Sequence, residues 1–384
     1  MILFVGHFPY YNAVYLVLFY TGFDHLPYMP FPPSWPVYTP AQKLADWFEY
    51  YAEAMELNVW TSATVIHAEP KGGKWKVVVR KSDGTERIFH PDHVIIAVGF
   101  GGGVPKMPKI PGQEDFQGQV LHSSQHKSAR DHVGQKVLVV GACTSAHDIA
   151  ADYVDHGVDV TLFQRSSTYI MSTKEGMPRL FKDTFWEGAG PTEVSDRVHA
   201  SLPAFMLKEM HVRLTSEIAE ADKQILEGLK KAGFKLNFGQ DGSGFLYNAM
   251  TRGGGYYLDV GSCQKIIDGQ IKLKNDSQIE RFTKTGLLFT DGSELDVDVV
   301  LFATGFDGAR AAIFRLVGED LGSKISQMWD LNEEGEAYGA WRYLGVPNFW
   351  FMKGDLATCR FHSKHLALQI KAIQEGVYGT RYAP

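Results

Sequence analysis

The sequence predicts an α/β protein built from two Rossmann-like, dinucleotide-binding modules, and three observations lead there. First, residues 136–164 read as strand, turn, helix and strand: the apolar run Val137-Leu138-Val139-Val140 stops at Gly141, a helix-compatible run starts at Ser145, and a second apolar run covers 158–164. Second, two apolar strands that each stop at a glycine lie far apart in the chain. Residues 91–100 (PDHVIIAVGF) and 296–306 (DVDVVLFATGF) match almost position for position. Third, each copy follows a hairpin: residues 75–80 and 86–90 flank Ser82-Asp83-Gly84, and residues 286–290 and 294–297 flank Asp291-Gly292. One device used twice points to two related modules; chance likeness between two buried parallel strands is the alternative.

The remaining elements follow from periodicity and capping. Thr39-Pro40 ahead of Leu44, Trp47, Phe48, Tyr51 and Met55 predicts an amphipathic helix. Residues 200–231 are helical in pattern, with Leu226 and Leu229 at helical spacing. The chain closes with a strand at 349–352, then Lys353-Gly354-Asp355, then a helix carrying Leu366, Leu368, Ile370 and Ile373. Tyr169, Phe181, Phe185 and Trp186 could line a pocket or fill a core, and core is the better reading for large aromatics.

Size and charge bound the function. A chain of 384 residues exceeds one comfortable core, in keeping with two modules. The net charge of −6 leaves no basic footprint for nucleic acid. Cys143, Cys263 and Cys359 are too scattered for a zinc site or a disulfide framework, which fits a reducing, cytoplasmic setting. Residues 1–23 carry no Lys, Arg, Asp or Glu, and a membrane anchor is one reading of them. Pro9, Asn12, Gly22, four tyrosines and the missing basic flank argue against it. The expected partner is a small-molecule substrate; oligomeric state is open.

The chemistry concentrates at Gly141-Ala142-Cys143-Thr144-Ser145-Ala146. A dinucleotide turn wants three small residues: one for the sharp turn, one to let backbone reach the pyrophosphate, one to pack helix on strand. Gly141 meets the first need and Ala146 the third, while Cys143 holds the second place and must turn its thiol away. The diphosphate then sits on the unpaired amides at the helix start. For NAD, the second strand would end in Asp or Glu to grip the ribose 2′-hydroxyl. Here it ends Gln164-Arg165-Ser166-Ser167-Thr168, a guanidinium and hydroxyls suited to a 2′-phosphate, so NADPH is the expected coenzyme.

Just upstream, residues 116–127 supply Phe116, Gly118, His122 and Lys127 in register with the pattern Phe-x-Gly-x-x-x-His-x-x-x-Tyr-Lys/Arg, with His126 in the tyrosine place. In this stretch the chain resembles the flavin-containing monooxygenases (class B flavoprotein monooxygenases). The Baeyer–Villiger relatives carry Trp followed by Pro or Asp at the last two places, so His126-Lys127 leans away from them. Residues 24–40, both Gly-terminated strands, the 141–150 turn, the 164–168 strand end and residues 360–370 resemble the same family, which covers about 24–376.

The resemblance implies an FAD-type module interrupted by an NADPH module: a first FAD-type segment over 1–130, an NADPH domain with a helical insert over 131–285, and a second FAD-type segment over 286–384. It also implies FAD and NADPH as cofactors, with Trp35, Thr39, Val65, Gly99, Gly305, Gly354 and Asp355 near the flavin and His122 as a structural residue at the hinge. The family opens with a GxGxxG strand–turn–helix for the FAD pyrophosphate. Nothing before Asp24 matches it, so the FAD-type module is expected to be truncated at its N-terminal side, with strand edges left unpaired. In the family's chemistry NADPH reduces FAD, dioxygen adds at the flavin C4a, and the hydroperoxide passes one oxygen to a nucleophile. That implies oxygenation of nitrogen or sulfur in a small molecule, such as a tailoring step in secondary metabolism. A remnant that binds only NADP(H) and a Baeyer–Villiger oxygenase are the alternatives.

Overall fold

The computed structural model describes residues 2–6, 16–20, 23–99, 104–186, 188–328 and 330–379, the first two stretches as backbone only. The larger parallel sheet has five strands in the order Lys272–Lys274, Asp159–Phe163, Lys136–Val140, Val299–Phe302 and Gln119–His122. Its central strands are near-continuous apolar runs because helices and hairpins cover both faces. Leu138, Val139, Val299, Val300, Leu301 and Phe302 are all fully buried. Burying each such side chain contributes about 1.5–3 kcal/mol before conformational entropy is subtracted. Helix Thr144–Asp155 crosses from strand Lys136–Val140 to strand Asp159–Phe163 and packs Ala146, Ile149, Ala150 and Tyr153 into this core.

A second parallel sheet orders Ile2–Gly6, His93–Ala97 and Phe349–Phe351, joining strands from opposite ends of the chain. The two hairpins form antiparallel sheets, one over Ala63–Lys71, Lys74–Lys81 and Glu86–Phe89, the other over Ile279–Phe282, Gly286–Phe289 and Glu294–Asp296. A third parallel sheet, Leu236–Asn237, Thr168–Ser172 and Tyr256–Asp259, carries the helical insert as a long excursion between its last two members. Tyr169, Phe181 and Phe185 are core of that insert, packed with Met171, Met177, Ile218 and Leu258, while Trp186 is exposed.

The sequence repeat is a repeat of topology. Strand His93–Ala97 belongs to one sheet and strand Val299–Phe302 to the other. Each runs parallel to a short apolar strand that leads to a glycine, Ile2–Gly6 in the first case and Lys136–Val140, followed by Gly141, in the second.

One expectation is corrected. The edge of His93–Ala97 is not left bare: Ile2–Gly6 pairs along its whole length, from Ile2 opposite His93 to Gly6 opposite Ala97. A buried strand's unmet N–H and C=O groups make such an edge the natural seat for a five-residue apolar run. The five-stranded sheet also takes in Gln119–His122 and Val299–Phe302, on either side of residues 131–285. The second Gly-ended strand pairs with Lys136–Val140 because both are apolar on two faces and need a doubly covered sheet. The anchor reading of 1–23 falls largely outside the described residues; among those described, no helix is long and apolar enough to cross a membrane.

Candidate functional site

The site grows from the carboxyl ends of the five-stranded sheet, where open α/β sheets receive ligands. Gly141 leaves strand Lys136–Val140 with φ 136°, and a Cβ there would lie 2.5 Å from the Ala303 carbonyl oxygen. No other residue could make this close approach. The Gly141 amide donates to the Phe163 carbonyl (3.0 Å), which fixes the turn against the tip of the neighbouring strand. Helix Thr144–Asp155 then begins at Cys143 with no side-chain cap. Among the described residues the amides of Ala142, Cys143, Thr144 and Ser145 have no hydrogen-bond acceptor, which leaves the positive end of the helix open. Ala146 is fully buried on the adjacent strands.

The thiol at the second small position does not need this space. Backbone N–H groups of Gly255 and Tyr256 lie against the Cys143 sulfur, and burial pushes its pKa up. Thr144 Oγ1 donates to the Tyr256 carbonyl at 3.3 Å, so the two side chains share one neighbouring strand end.

Arg165 stands on the next strand tip, two residues beyond Phe163, which is in register with Val140. It is exposed and, among the described residues, makes no ion pair or hydrogen bond; Ser166 beside it is exposed as well. The tip is rigid because Gln164 is wholly buried. Its amide N–H donates to the Lys274 carbonyl (3.0 Å), its Nε2 donates to the Lys235 carbonyl (2.7 Å), and its Oε1 accepts from the Lys235 amide (2.8 Å) and Asn275 Nδ2 (3.1 Å). Sequence reading missed Gln164, since its partners lie 71 and 111 residues away and no local pattern marks them.

His122 is buried at the end of strand Gln119–His122. Its Nδ1 accepts from the Ser124 amide (3.2 Å), so Nε2 carries the proton and donates to the Gly305 carbonyl at 2.8 Å. Burial lowers its pKa and keeps the ring neutral. The ring therefore pins the Gly305 turn, where φ is 76°, from a strand in the same sheet. His126 is buried in its own network, with Nε2 3.2 Å from Asp152 Oδ2 and Tyr153 Oη 3.4 Å from Nδ1.

The residues implied near the flavin are spread over several elements: Thr39 lies on strand Tyr38–Pro40, Val65 on hairpin strand Ala63–Lys71, and only Gly99 and Gly354 follow strands of the second parallel sheet. Thr39 is fully buried, and among the described residues its Oγ1 has no hydrogen-bond partner. Trp35 stacks on Phe31 at 4.7 Å, with Lys43 over its ring. Val65 packs half-buried on the hairpin core. Gly99 and Gly354 take φ values of 68° and 112° beyond the ends of strands His93–Ala97 and Phe349–Phe351. Asp355 caps helix Leu356–Gln374, accepting from Thr358 N and Thr358 Oγ1, both at 2.8 Å. Its carboxylate is committed to that helix.

Buried histidines give the fold a pH signature. Among the described residues, His147 stacks on Tyr257 (4.1 Å) with no partner for Nε2, His211 has none for Nδ1, and the half-buried His362 stacks on Trp341. Burial pushes all three down to about 4. Between that value and about 6.5 the unfolded chain binds more protons, so stability falls as pH drops through this window. Asp148 acts oppositely: burial, with Asp259 nearby, pushes it up to about 7, so its contribution is lost as pH rises from about 4 to 7. Melting temperatures are expected to fall from pH 6.5 to 4, more steeply in Asp148→Asn; a melting point independent of pH in both proteins would contradict this.

An open amide turn beside a cation with no partner among the described residues, on a strand pairing that recurs in a second parallel sheet, defines a protein of the two-module dinucleotide-binding class. The flavin-binding monooxygenase-like family model matches residues 21–313. The chain belongs to the flavin-binding monooxygenase-like family. It is 29% identical over 289 residues to the probable indole-3-pyruvate monooxygenase YUCCA8 of Arabidopsis thaliana, covering 74% of this chain and 62% of that protein. It is 27% identical to dimethylaniline monooxygenase [N-oxide-forming] 2 of Cavia porcellus, covering 72% of this chain and 48% of that one. The chain thus spans under two thirds of the length of these relatives. In fold it is similar to the flavin-containing monooxygenase from Stenotrophomonas maltophilia, with a TM-score of 0.59 and 18% identity over 95% of this chain and 88% of that one. It is also similar to a cyclohexanone monooxygenase, with a TM-score of 0.63 and 14% identity over 96% and 80% of the two chains.

FAD and NADPH are the cofactors of this family. The Gly141 cradle, the open amides and the unpaired guanidinium fit NADPH. For the flavin, the left-handed glycines Gly99 and Gly354 at strand ends of the smaller parallel sheet, and the buried Thr39 hydroxyl without a partner among the described residues, fit a bound ligand. Residues 7–15, which follow strand Ile2–Gly6, lie outside the described residues.

Proposed function

We propose that the chain is an FAD- and NADPH-dependent monooxygenase that transfers one oxygen atom of dioxygen to a nitrogen or sulfur atom of a small molecule, as a tailoring step in secondary metabolism. The observation that carries the reading is the open amide turn at Gly141 beside Arg165, in a chain of the flavin-binding monooxygenase-like family. His126-Lys127, rather than Trp followed by Pro or Asp, supports nitrogen or sulfur over a ketone as the acceptor.

The protein's own part is binding and orientation. The amides of residues 142–145 receive the diphosphate, while Arg165 and Ser166 receive the 2′-phosphate. His122 holds the Gly305 turn at the end of the strand paired with Lys136–Val140. Thr39, Gly99 and Gly354 offer a donor and close backbone approach to the flavin. Bound flavin supplies the redox chemistry, so no side-chain nucleophile or acid–base pair is required.

The test is made on purified full chain supplied with FAD and NADPH. The expected result is a yellow protein that oxidises NADPH, takes up dioxygen and adds one oxygen atom to a tertiary amine or thioether. A colourless protein that binds NADPH without oxidising it would favour an NADP(H)-binding remnant, and conversion of ketone to ester would favour the Baeyer–Villiger reading.

A further inference from the structure

Lysines around the five-stranded sheet are mostly neutralised. Lys272 pairs with Asp159 (2.6 Å), Lys274 with Asp276 (2.7 Å) and Asp291 (3.3 Å), and Lys265 with Asp155. Lys235 is different. Among the described residues it meets no carboxylate, and its ammonium donates only to the Asn275 carbonyl. Asn275 follows strand Lys272–Lys274, so that carbonyl lies at the carboxyl end of the strand next to Asp159–Phe163. This is the end of the sheet from which Arg165 projects.

The two cations are tied together. The buried Gln164 side chain bonds both the amide and the carbonyl of Lys235, so position 235 is fixed against the residue that precedes Arg165. Beyond it, strand Leu236–Asn237 runs parallel to Thr168–Tyr169, and Asn237 Nδ2 donates to Ser167 Oγ at 3.0 Å. Residues 165–167 and 235–237 therefore form one rim, with two positive charges and no acid paired to either. The nearby Asp276 is held by Lys274. A phosphate monoester carries close to two negative charges at neutral pH, and one guanidinium offsets only about half of that. An ammonium on a flexible stem, parked on a carbonyl, can turn to supply the rest.

We propose that Lys235 is the second cation of the 2′-phosphate site, a specificity-determining residue that with Arg165 selects NADP(H) over NAD(H). The proposal rests on the reading that this end of the sheet receives the adenosine ribose. It also gives the helical insert, which carries Lys235, a share in coenzyme choice.

Calorimetric titration of the full chain with NADP+ and with NAD+ tests it, in the wild type, Lys235→Met, Lys235→Arg and Arg165→Met. Lys235→Met is expected to raise the Kd for NADP+ about tenfold and to change that for NAD+ less than about twofold, with Lys235→Arg recovering most of the loss. The exposed side chain should leave the melting temperature unchanged. If Arg165→Met discriminates between the coenzymes while Lys235→Met weakens both equally or neither, the second cation is refuted and the ribose placement stands. If neither variant discriminates, the placement itself is wrong and the proposal falls with it.

Discussion

Arg360→Ala is expected to destabilise the protein by about 3–5 kcal/mol, because it leaves a buried carboxylate without a partner. Arg360 and Asp196 are only 3% and 7% exposed. The guanidinium meets the carboxylate in a fork, with Nε to Oδ2 at 2.9 Å and Nη2 to Oδ1 at 2.6 Å. Its Nη1 donates to the carbonyls of Phe23 (2.7 Å) and His25 (3.0 Å). One side chain thus joins the last helix, the helical insert and the first fully described loop. A surface ion pair would be worth under about 1 kcal/mol; burial is what enlarges the effect of breaking this one. Chemical denaturation should show the loss, and the double variant Arg360→Met with Asp196→Leu should recover most of it, since an apolar pair of similar volume needs no desolvation. A single variant as stable as wild type would show that the pair is not the tie between these three segments.

The sequence made the skeleton of the fold legible for physical reasons. Apolar runs that stop at glycine at 99, 141 and 305 read as strands whose chain turns at the carboxyl end of a sheet, and all three are. The repeat of 91–100 in 296–306 revealed two modules because matching strands face matching environments. Local pattern could not show which sheet would take each strand. Val299–Phe302 joins the middle sheet, and Ile2–Gly6 closes an edge that looked bare, because parallel pairing is decided by distant partners and leaves no local signature.

The site divides along the same line. That Gly141 and Arg165 would lie at neighbouring strand ends, with Ala146 packed beneath, was readable because a strand–turn–helix–strand unit imposes residue types at fixed spacing. Gln164, Lys235 and the Arg360–Asp196 pair were not, as each joins positions 71 to 164 residues apart. Asp355, which sequence likeness implies near the flavin at the start of the last helix, caps that helix.

Arg165→Ala probes whether the turn at Gly141 and the cation at 165 hold NADPH. Equilibrium binding of NADP+ and NAD+ should show that the variant loses about 1.5–3 kcal/mol toward NADP+, the worth of a hydrogen bond to a charged group, and almost nothing toward NAD+. Equal loss toward both coenzymes, or none toward either, would contradict the assignment of this strand tip to the 2′-phosphate.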